Sequence, residues 1–355
     1  MVTGPLISII IPCFNQAMYL REALDSVVAQ TYRNLEVIIV NDGSTDGSED
    51  LIKSIYGHYL QQLNIKAFSI PNSGVAVARN VAISQSAGEF FVPLDADDAL
   101  HPEFVEKTLA VMLSTPDISF VYTNYELFGD VKDRVDADEY EYWRYLYDKN
   151  LCASTSLIKK RAWLDAGGYN PNMIWGFEDW EFWIACGAKG HFGKKLAKDL
   201  FFYRKKIEVS TRNTGANENS KKLFARMALN HPQMYPTKRV NWATEEWANA
   251  IKDILKSSDK NGLRYLHNLT SDALEKEASI LRQKKYFNEL IALYVSWLKN
   301  SNQDNKIAIE FNLAIEFEEA GKTQLAIEHF KKCAKTIQYQ VPVELAIRRM
   351  GKLAN

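Results

Sequence analysis

Four apolar runs, rich in β-branched residues, begin at Leu6, Leu35, Ile65 and Phe90, and the first three are each followed by a polar turn and a stretch of helical spacing. No other feature limits the possible folds as much. An unbroken apolar run reads as a strand buried on both faces, as in a parallel sheet. Strands are expected at 6–12, 35–40, 65–70 and 90–94, with helices near 19–30, 49–60 and 75–84 between them. In the first helix Leu20, Leu24, Val27 and Val28 share one face. Such alternation predicts an α/β domain with a mixed, mostly parallel sheet and helices on both sides. Three strand ends, at Pro12-Cys13-Phe14-Asn15, Asn41-Asp42 and Asp95-Ala96-Asp97-Asp98, then lie side by side as a crevice of the nucleotide-binding kind. No Gly-x-Gly-x-x-Gly follows the first strand and no Gly-x-x-x-x-Gly-Lys-Ser/Thr occurs, which disfavours a dinucleotide cofactor and a phosphate-loop NTPase.

The fourth run leads into Pro93-Leu94-Asp95-Ala96-Asp97-Asp98, three carboxylates within four positions. Clustered carboxylates repel one another and are costly to desolvate, so they call for a partner. A hard divalent cation that also bridges to phosphates is one. The other reading is a solvated loop that starts a helix at His101-Pro102, with Asp98 or Asp97 as its cap. Both stand open on this stretch alone.

Further on, strands are expected at 118–127 and 200–203, a strand-like segment at 153–159, and helices at 136–146 and from Trp180 to Gly187. Glu178 and Asp179 then fall at a helix N-terminus, where the dipole alone favours carboxylates. They also suit a general base at a pocket rim, with Trp175 and Trp180 nearby to stack on sugar faces. Arg204-Lys205-Lys206 closes the last strand and reads either as a solvated edge or as a diphosphate clamp.

The chain has 355 residues and a net charge of -1, so two domains are expected and nothing favours nucleic acid as a partner. Residues 216–355 carry a net +6 and residues 1–215 a net -7, which supports a boundary near Thr214-Gly215. From residue 217 onwards every segment reads as helix. A repeat at an offset of 36 aligns Leu290 with Ala326, Ile291 with Ile327 and Tyr294 with Phe330. With the turn at Gly321 this resembles tetratricopeptide helix pairs. Cys13, Cys152, Cys186 and Cys333 are scattered, with no Cys-x-x-Cys, as in a reducing compartment. No signal peptide or membrane-spanning run is apparent. A cytoplasmic location is expected, compatible with peripheral contact at a membrane's inner face and with a homodimer through the helical tail.

With these pieces in place, residues 1–215 resemble the family-two inverting glycosyltransferases of the GT-A (Rossmann-like) fold. The matching stretches come in the family's order: Pro12-Cys13-Phe14-Asn15, Val40-Asn41-Asp42-Gly43-Ser44-Thr45-Asp46, Asn72-x-Gly74-x-x-x-Ala78-Arg79-Asn80, Leu94-Asp95-Ala96-Asp97-Asp98, Gly167-Gly168-Tyr169 and Glu178-Asp179-Trp180. The resemblance implies that Pro12, Phe14, Asn15 and Asp42 hold the nucleotide base, with Arg79 beside base and phosphate. It implies Asp95 on the ribose or reaching the metal through water, and Asp97 as ligand to Mn²⁺ or Mg²⁺. It makes Asp179 the base that deprotonates the acceptor, with Glu178 placing acceptor or donor sugar. In one respect the chain departs from the family. Where members often carry a metal-side His after a Tyr-Arg pair, this chain has Lys206 after Tyr203-Arg204-Lys205. A protonated Lys is no metal ligand, so Arg204 or Lys206 is expected to neutralise the diphosphate directly.

The expected activity is inverting, metal-dependent transfer of a hexose or N-acetylhexosamine from a nucleotide sugar, with UDP as the nucleotide. The expected acceptor is a glycan or lipid-linked glycan in cell-surface polysaccharide synthesis. Two alternatives use the helical tail otherwise. One is a peptide acceptor bound in a helical groove; the other is a non-catalytic scaffold with a vestigial sugar-nucleotide domain.

Overall fold

The computed structural model describes residues 4–59, 63–207, 216, 218–256, 259–300 and 306–334. The chain divides into two compact units. The first comprises Met1–Leu223 with His231–Tyr235, and the second Phe224–Asn230 with Pro236–Asn355. The boundary expected at Thr214-Gly215 lies outside the described residues.

The first unit opens with β1 (Ile7–Cys13), α1 (Ala17–Val28), β2 (Leu35–Asp42), α2 (Ser48–Tyr59), β3 (Asn64–Ile70), α3 (Val75–Ser84) and β4 (Phe90–Pro93). β1, β2 and β4 are buried along their whole length. Ile9, Ile11, Val37, Ile39 and Val92 join a core with Leu20, Leu24 and Val27 of α1, while α3 packs on β1 and β2. Each fully buried Ile or Val contributes roughly 1.5–3 kcal/mol. β1 pairs in parallel with β2 on one side and β4 on the other. The sheet order is β3-β2-β1-β4, so the crossovers turn in opposite directions on either side of β1. That is the switch point at which open α/β sheets bind ligands.

One buried polar staple ties this region together. Glu36 of β2, fully buried, accepts from Ser8 Oγ (2.7 Å) in β1, from Gly88 N (3.1 Å) before β4 and from Lys66 Nζ (3.1 Å) in β3. Burial pushes its carboxyl up, but Ser8, the Ala87 N–H (2.5 Å) and Lys66 together outweigh burial and hold it below the usual range.

The unit continues through β5 (Ala99–Leu100), α4 (Phe104–Ser114), β6 (Ile118–Gly129), β7 (Asp133–Val135), α5 (Tyr142–Tyr147), β8 (Leu157–Lys159), α6 (Lys160–Ala166), α7 (Glu178–Ala188) and β9 (Phe192–Lys205). The sheet extends as β4-β8-β6-β9-β5, with β7 on β6. β8 runs antiparallel to β4 and β6, and β6 parallel to β9, giving a mixed sheet.

Several local expectations are corrected. Neither Asp97 nor Asp98 caps a helix: β5 pairs with Phe201 and Phe202 directly after them, and α4 starts from Glu103. The helix expected over 136–146 is confined to Tyr142–Tyr147. Asn124 holds its first residues extended, donating to Asp136 Oδ1 (2.9 Å) and accepting from Ala137 N (3.1 Å). Such side-chain bonds compete with helical ones. The strand expected at 200–203 runs from Phe192 because β6 offers it a partner along its whole length. The segment expected over 153–159 forms a strand only at Leu157–Lys159.

Every regular element of the second unit among its described residues is a helix. The unit takes the last part of α8 (Ser220–Asn230) and continues with α9 (Thr237–Lys256), α10 (Lys260–His267), α11 (Ser271–Gln283), α12 (Phe287–Asn300), α13 (Lys306–Glu319) and α14 (Thr323–Ala334). Gly321 (φ 71°) makes the tight turn between α13 and α14, which pack together. Leu290 and Tyr294 of α12 and Ala326 and Phe330 of α14 are all fully buried. Deeper in the unit, Glu277 accepts from Trp247 Nε1 (2.7 Å) and Tyr265 Oη (2.6 Å) and pairs with Arg226 (2.8 Å). Among the described residues no helix is long and apolar enough to cross a membrane.

Candidate active site

The ends of β1 and β2 are stitched to each other. Asn15 turns the chain at φ 53°, a conformation Asn tolerates better than most residues. Its Oδ1 accepts from Thr45 N (2.7 Å), and its own N–H donates to Ser44 Oγ (3.0 Å). Pro12 is buried behind this loop, and Phe14, 44% exposed, stands open beside it. Asp42 ends β2 and accepts from Ser73 N (2.6 Å) and Gly74 N (2.9 Å), where α3 begins. Gly43 (φ 71°) lies so close to Asn72 that a Cβ would sit 2.7 Å from its backbone N, so the turn needs glycine.

Arg79, on α3, is 1% exposed. Its Nη2 pairs with Asp95 Oδ1 (2.7 Å) and its Nη1 with Glu178 Oε1 (2.9 Å), and its guanidinium lies over the Tyr169 ring. Burial alone would disfavour its charge, but Asp95 and Glu178 outweigh burial and keep it a cation. Next to it, Asn80 accepts from Tyr169 N (2.8 Å) and donates to Tyr169 O (2.7 Å). Gly167 and Gly168 (φ 84° and 83°) bring Tyr169 to that position. The sequence stretches Ala78-Arg79-Asn80, Gly167-Gly168-Tyr169 and Glu178-Asp179 are thus one physical cluster.

Glu178 and Asp179 lie in the first turn of α7. The chain enters that turn through Gly176 (φ 128°) and Phe177 (φ 60°), an uncommon conformation for a bulky residue that marks a constrained corner. Asp179 Oδ2 accepts from Asn150 Nδ2 (2.9 Å). Trp175 and Trp180 are close by but only 8% and 7% exposed, and Trp180 Nε1 donates to Tyr145 O (2.7 Å). Little of either ring is exposed.

The carboxylates after β4 diverge. Asp95 turns to Arg79. Asp98, buried, accepts from Arg204 N (2.8 Å), and burial together with the charges of Asp95 and Asp97 drives its pKa well up. Asp97 Oδ2 faces Lys206 Nζ at 2.9 Å. Gln16 touches both partners, donating to Asp97 Oδ2 (3.4 Å) and accepting from Lys206 (3.3 Å). The ammonium sits 4.1 Å from the centre of the Tyr19 ring. Arg204 is committed elsewhere: Nε donates to Asp97 O (2.7 Å), the guanidinium pairs with Glu22, and it lies against Phe128 and Tyr19. Gln16, Tyr19 and Asn150 have no mark in the sequence that sets them apart as site residues. Uncharged side chains carry no local signal of what they will touch.

A switch-point crevice lined in this way, on a mixed sheet of this order, belongs to the GT-A class of glycosyltransferase folds. Residues 8–162 match the model of the family "Glycosyl transferase family 2", and this part of the chain is a family-2 glycosyltransferase domain. The chain is similar to the chondroitin synthase of Pasteurella multocida (strain Pm70), at 28% identity over 320 residues, 88% of this chain and 31% of that protein. The hyaluronan synthase of Pasteurella multocida is 32% identical over 192 residues, 53% of this chain and 19% of that protein. The chain therefore spans a third or less of these two relatives. Among solved structures, S. aureus TarS 1–349 in complex with UDP-GlcNAc superposes with a TM-score of 0.51 at 17% identity, covering 92% of this chain and 90% of that one. The mannosyltransferase PcManGT from Pyrobaculum calidifontis, in complex with GDP-Man and Mn²⁺, gives 0.51 at 16% identity, over 83% and 88%. At these identities the likeness is one of fold.

Proposed function

We propose that the chain transfers a hexose or N-acetylhexosamine from a UDP-sugar, with inversion, to a hydroxyl of a glycan or lipid-linked glycan. The observation that carries this reading is the Asp95–Arg79–Glu178 bridge. It links the acidic edge of β4, where a donor would sit, to the start of α7, where a base would act. That the Pasteurella multocida relatives are named synthases of chondroitin and hyaluronan supports a glycan acceptor.

In this reading Asp42 and the Pro12–Asn15 turn hold the nucleotide base, Phe14 offers its exposed ring, and Asp95 takes the ribose. Arg79 acts through Asp95 and Glu178, since its guanidinium is turned to both. Asp179 takes the proton from the acceptor hydroxyl, a poor nucleophile near neutral pH, as that oxygen attacks opposite the leaving diphosphate. Glu178 places the sugar. Lys206 would meet the negative charge that develops on the leaving group, while Arg204, paired with Glu22 and bonded to the Asp97 carbonyl, braces that edge.

A divalent cation fits Asp97, a hard oxygen ligand at the strand edge. Among the described residues no set of three His, Cys, Asp or Glu converges as a metal cage. Asp97 would be the residue that holds such a cation. When bound, it supplies charge stabilisation to the departing diphosphate.

The test is thermal stabilisation by UDP-, GDP-, dTDP- and CMP-sugars, each with and without Mn²⁺. A ligand at about 100 times its dissociation constant should add roughly 2.7 kcal/mol. A metal-assisted shift with one UDP-sugar is expected. No shift with any donor in the presence of metal would overturn the assignment.

A further inference from the structure

The strongest feature left over is the place of Lys206. Its ammonium is held from three sides: Asp97 Oδ2 at 2.9 Å, Gln16 Oε1 at 3.3 Å and the Tyr19 ring at 4.1 Å. Asp97 comes from the loop between β4 and β5, and Gln16 and Tyr19 from the start of α1, while Lys206 itself follows β9. Lys206 and Asp97 are partly exposed, at 27% and 23% of their side chains. Arg204 does not compete for the niche, being engaged by Glu22 and by the carbonyl of Asp97.

We propose that Lys206 is an internal counter-ion for Asp97 in the nucleotide-free protein and is drawn off by the donor's diphosphate, so that divalent cation and nucleotide bind as a linked pair. The inference rests on the nucleotide-sugar reading above for the identity of the diphosphate. Its physical basis is competition. A carboxylate oxygen that already accepts from an ammonium is a poorer metal ligand, and a fixed positive charge 2.9 Å from it repels a second cation. A diphosphate offers Lys206 more negative charge than one carboxylate does. Once the ammonium has moved to it, Asp97 is free for the metal. Linkage then requires that metal and nucleotide raise each other's affinity by the same factor.

The experiment is a titration of the nucleotide-free 355-residue chain with Mn²⁺ alone, following the free-ion signal by electron paramagnetic resonance, repeated with UDP present. Wild type should bind Mn²⁺ weakly by itself and much more tightly with UDP. Lys206→Met should bind Mn²⁺ alone roughly tenfold more tightly than wild type, the scale of removing one partly exposed ion pair and a like charge. It should gain correspondingly less from UDP. Lys206→Arg, which keeps the charge, should stay weak like wild type, so a gain seen only on loss of charge separates the counter-ion role from a change in packing. Lys206→Gln repeats the test should the Met variant fold poorly. Adding Asp97→Asn to Lys206→Met should abolish the gain. An unchanged or weaker Mn²⁺ affinity in the Met and Gln variants, or a gain that survives Asp97→Asn, would overturn the proposal. If the gain appears but UDP alters Mn²⁺ binding in neither protein, the nucleotide-sugar reading fails while the counter-ion role of Lys206 stands.

Discussion

Asp179 and Asn150 form the contact on which the acid–base chemistry should turn. Asp179→Asn removes the proposed base and should lower kcat by roughly 100- to 10,000-fold, the usual contribution of general base catalysis. Circular dichroism should show the fold intact, and retained transfer would remove Asp179 from the role. Asn150→Asp sets a second carboxylate against Asp179, and like charge raises a carboxyl pKa. The acidic limb of the kcat/KM profile should move up by about one pH unit. An unmoved limb would make Asn150 a bystander. Asp97 and Asp179 stand out in the sequence as candidates because clustered carboxylates and an acidic pair before a helix are local patterns. Asn150 does not, since it meets Asp179 only across 29 positions.

At the scale of elements, two buried charged side chains, Arg79 and Glu36, each carry a stability prediction. α3 delivers Arg79 between Asp95 and Glu178, and removing a cation from a buried pair leaves uncompensated charge. Arg79→Met should destabilise by about 3–5 kcal/mol in urea unfolding, and adding Glu178→Gln should restore part of the loss. No recovery would mean that the arginine acts through packing alone. Glu36 joins β1, β2, β3 and the turn before β4, away from the crevice. Glu36→Gln sets an amide N–H₂ against donors and should cost about 2–4 kcal/mol at pH 7. The sign with pH follows from the depressed carboxyl. Its stabilisation is complete above the unfolded pKa of about 4.3 and fades as pH falls through the lower folded value. The gap between wild type and variant should therefore start to narrow below about pH 4 and close once the pH lies under the folded value. A gap that persists there would point to packing. The four opening strands could be read directly because continuous apolar runs are local. β9 was largely hidden because Lys194, Lys195, Lys198 and Asp199 break its pattern, and only pairing with β6 makes it a strand.

For the molecule as a whole, the first unit extends past residue 215. It includes Leu223, fully buried, and His231, whose Nε2 lies 2.8 Å from Oε1 of Glu181, itself 1% exposed. A chain cut after residue 215 loses both. It should melt below one cut after Tyr235, by several degrees if the loss is about 1–3 kcal/mol. Differential scanning calorimetry of the two would show this. Equal melting temperatures would mean that the first unit closes without His231.

The sequence alone determined the α/β class of the first unit, the helical character of the second, and the strand-end carboxylates. Each of these is written in runs of a dozen residues or fewer, where hydrophobic period and local charge speak for themselves. What each carboxylate faces was decided by tertiary structure. Asp95, Asp97 and Asp98 are near neighbours in the chain, yet one meets Arg79, one Lys206 and one the backbone of Arg204. Those partners come from α3 and the end of β9, and only packing of the sheet brings them to one edge.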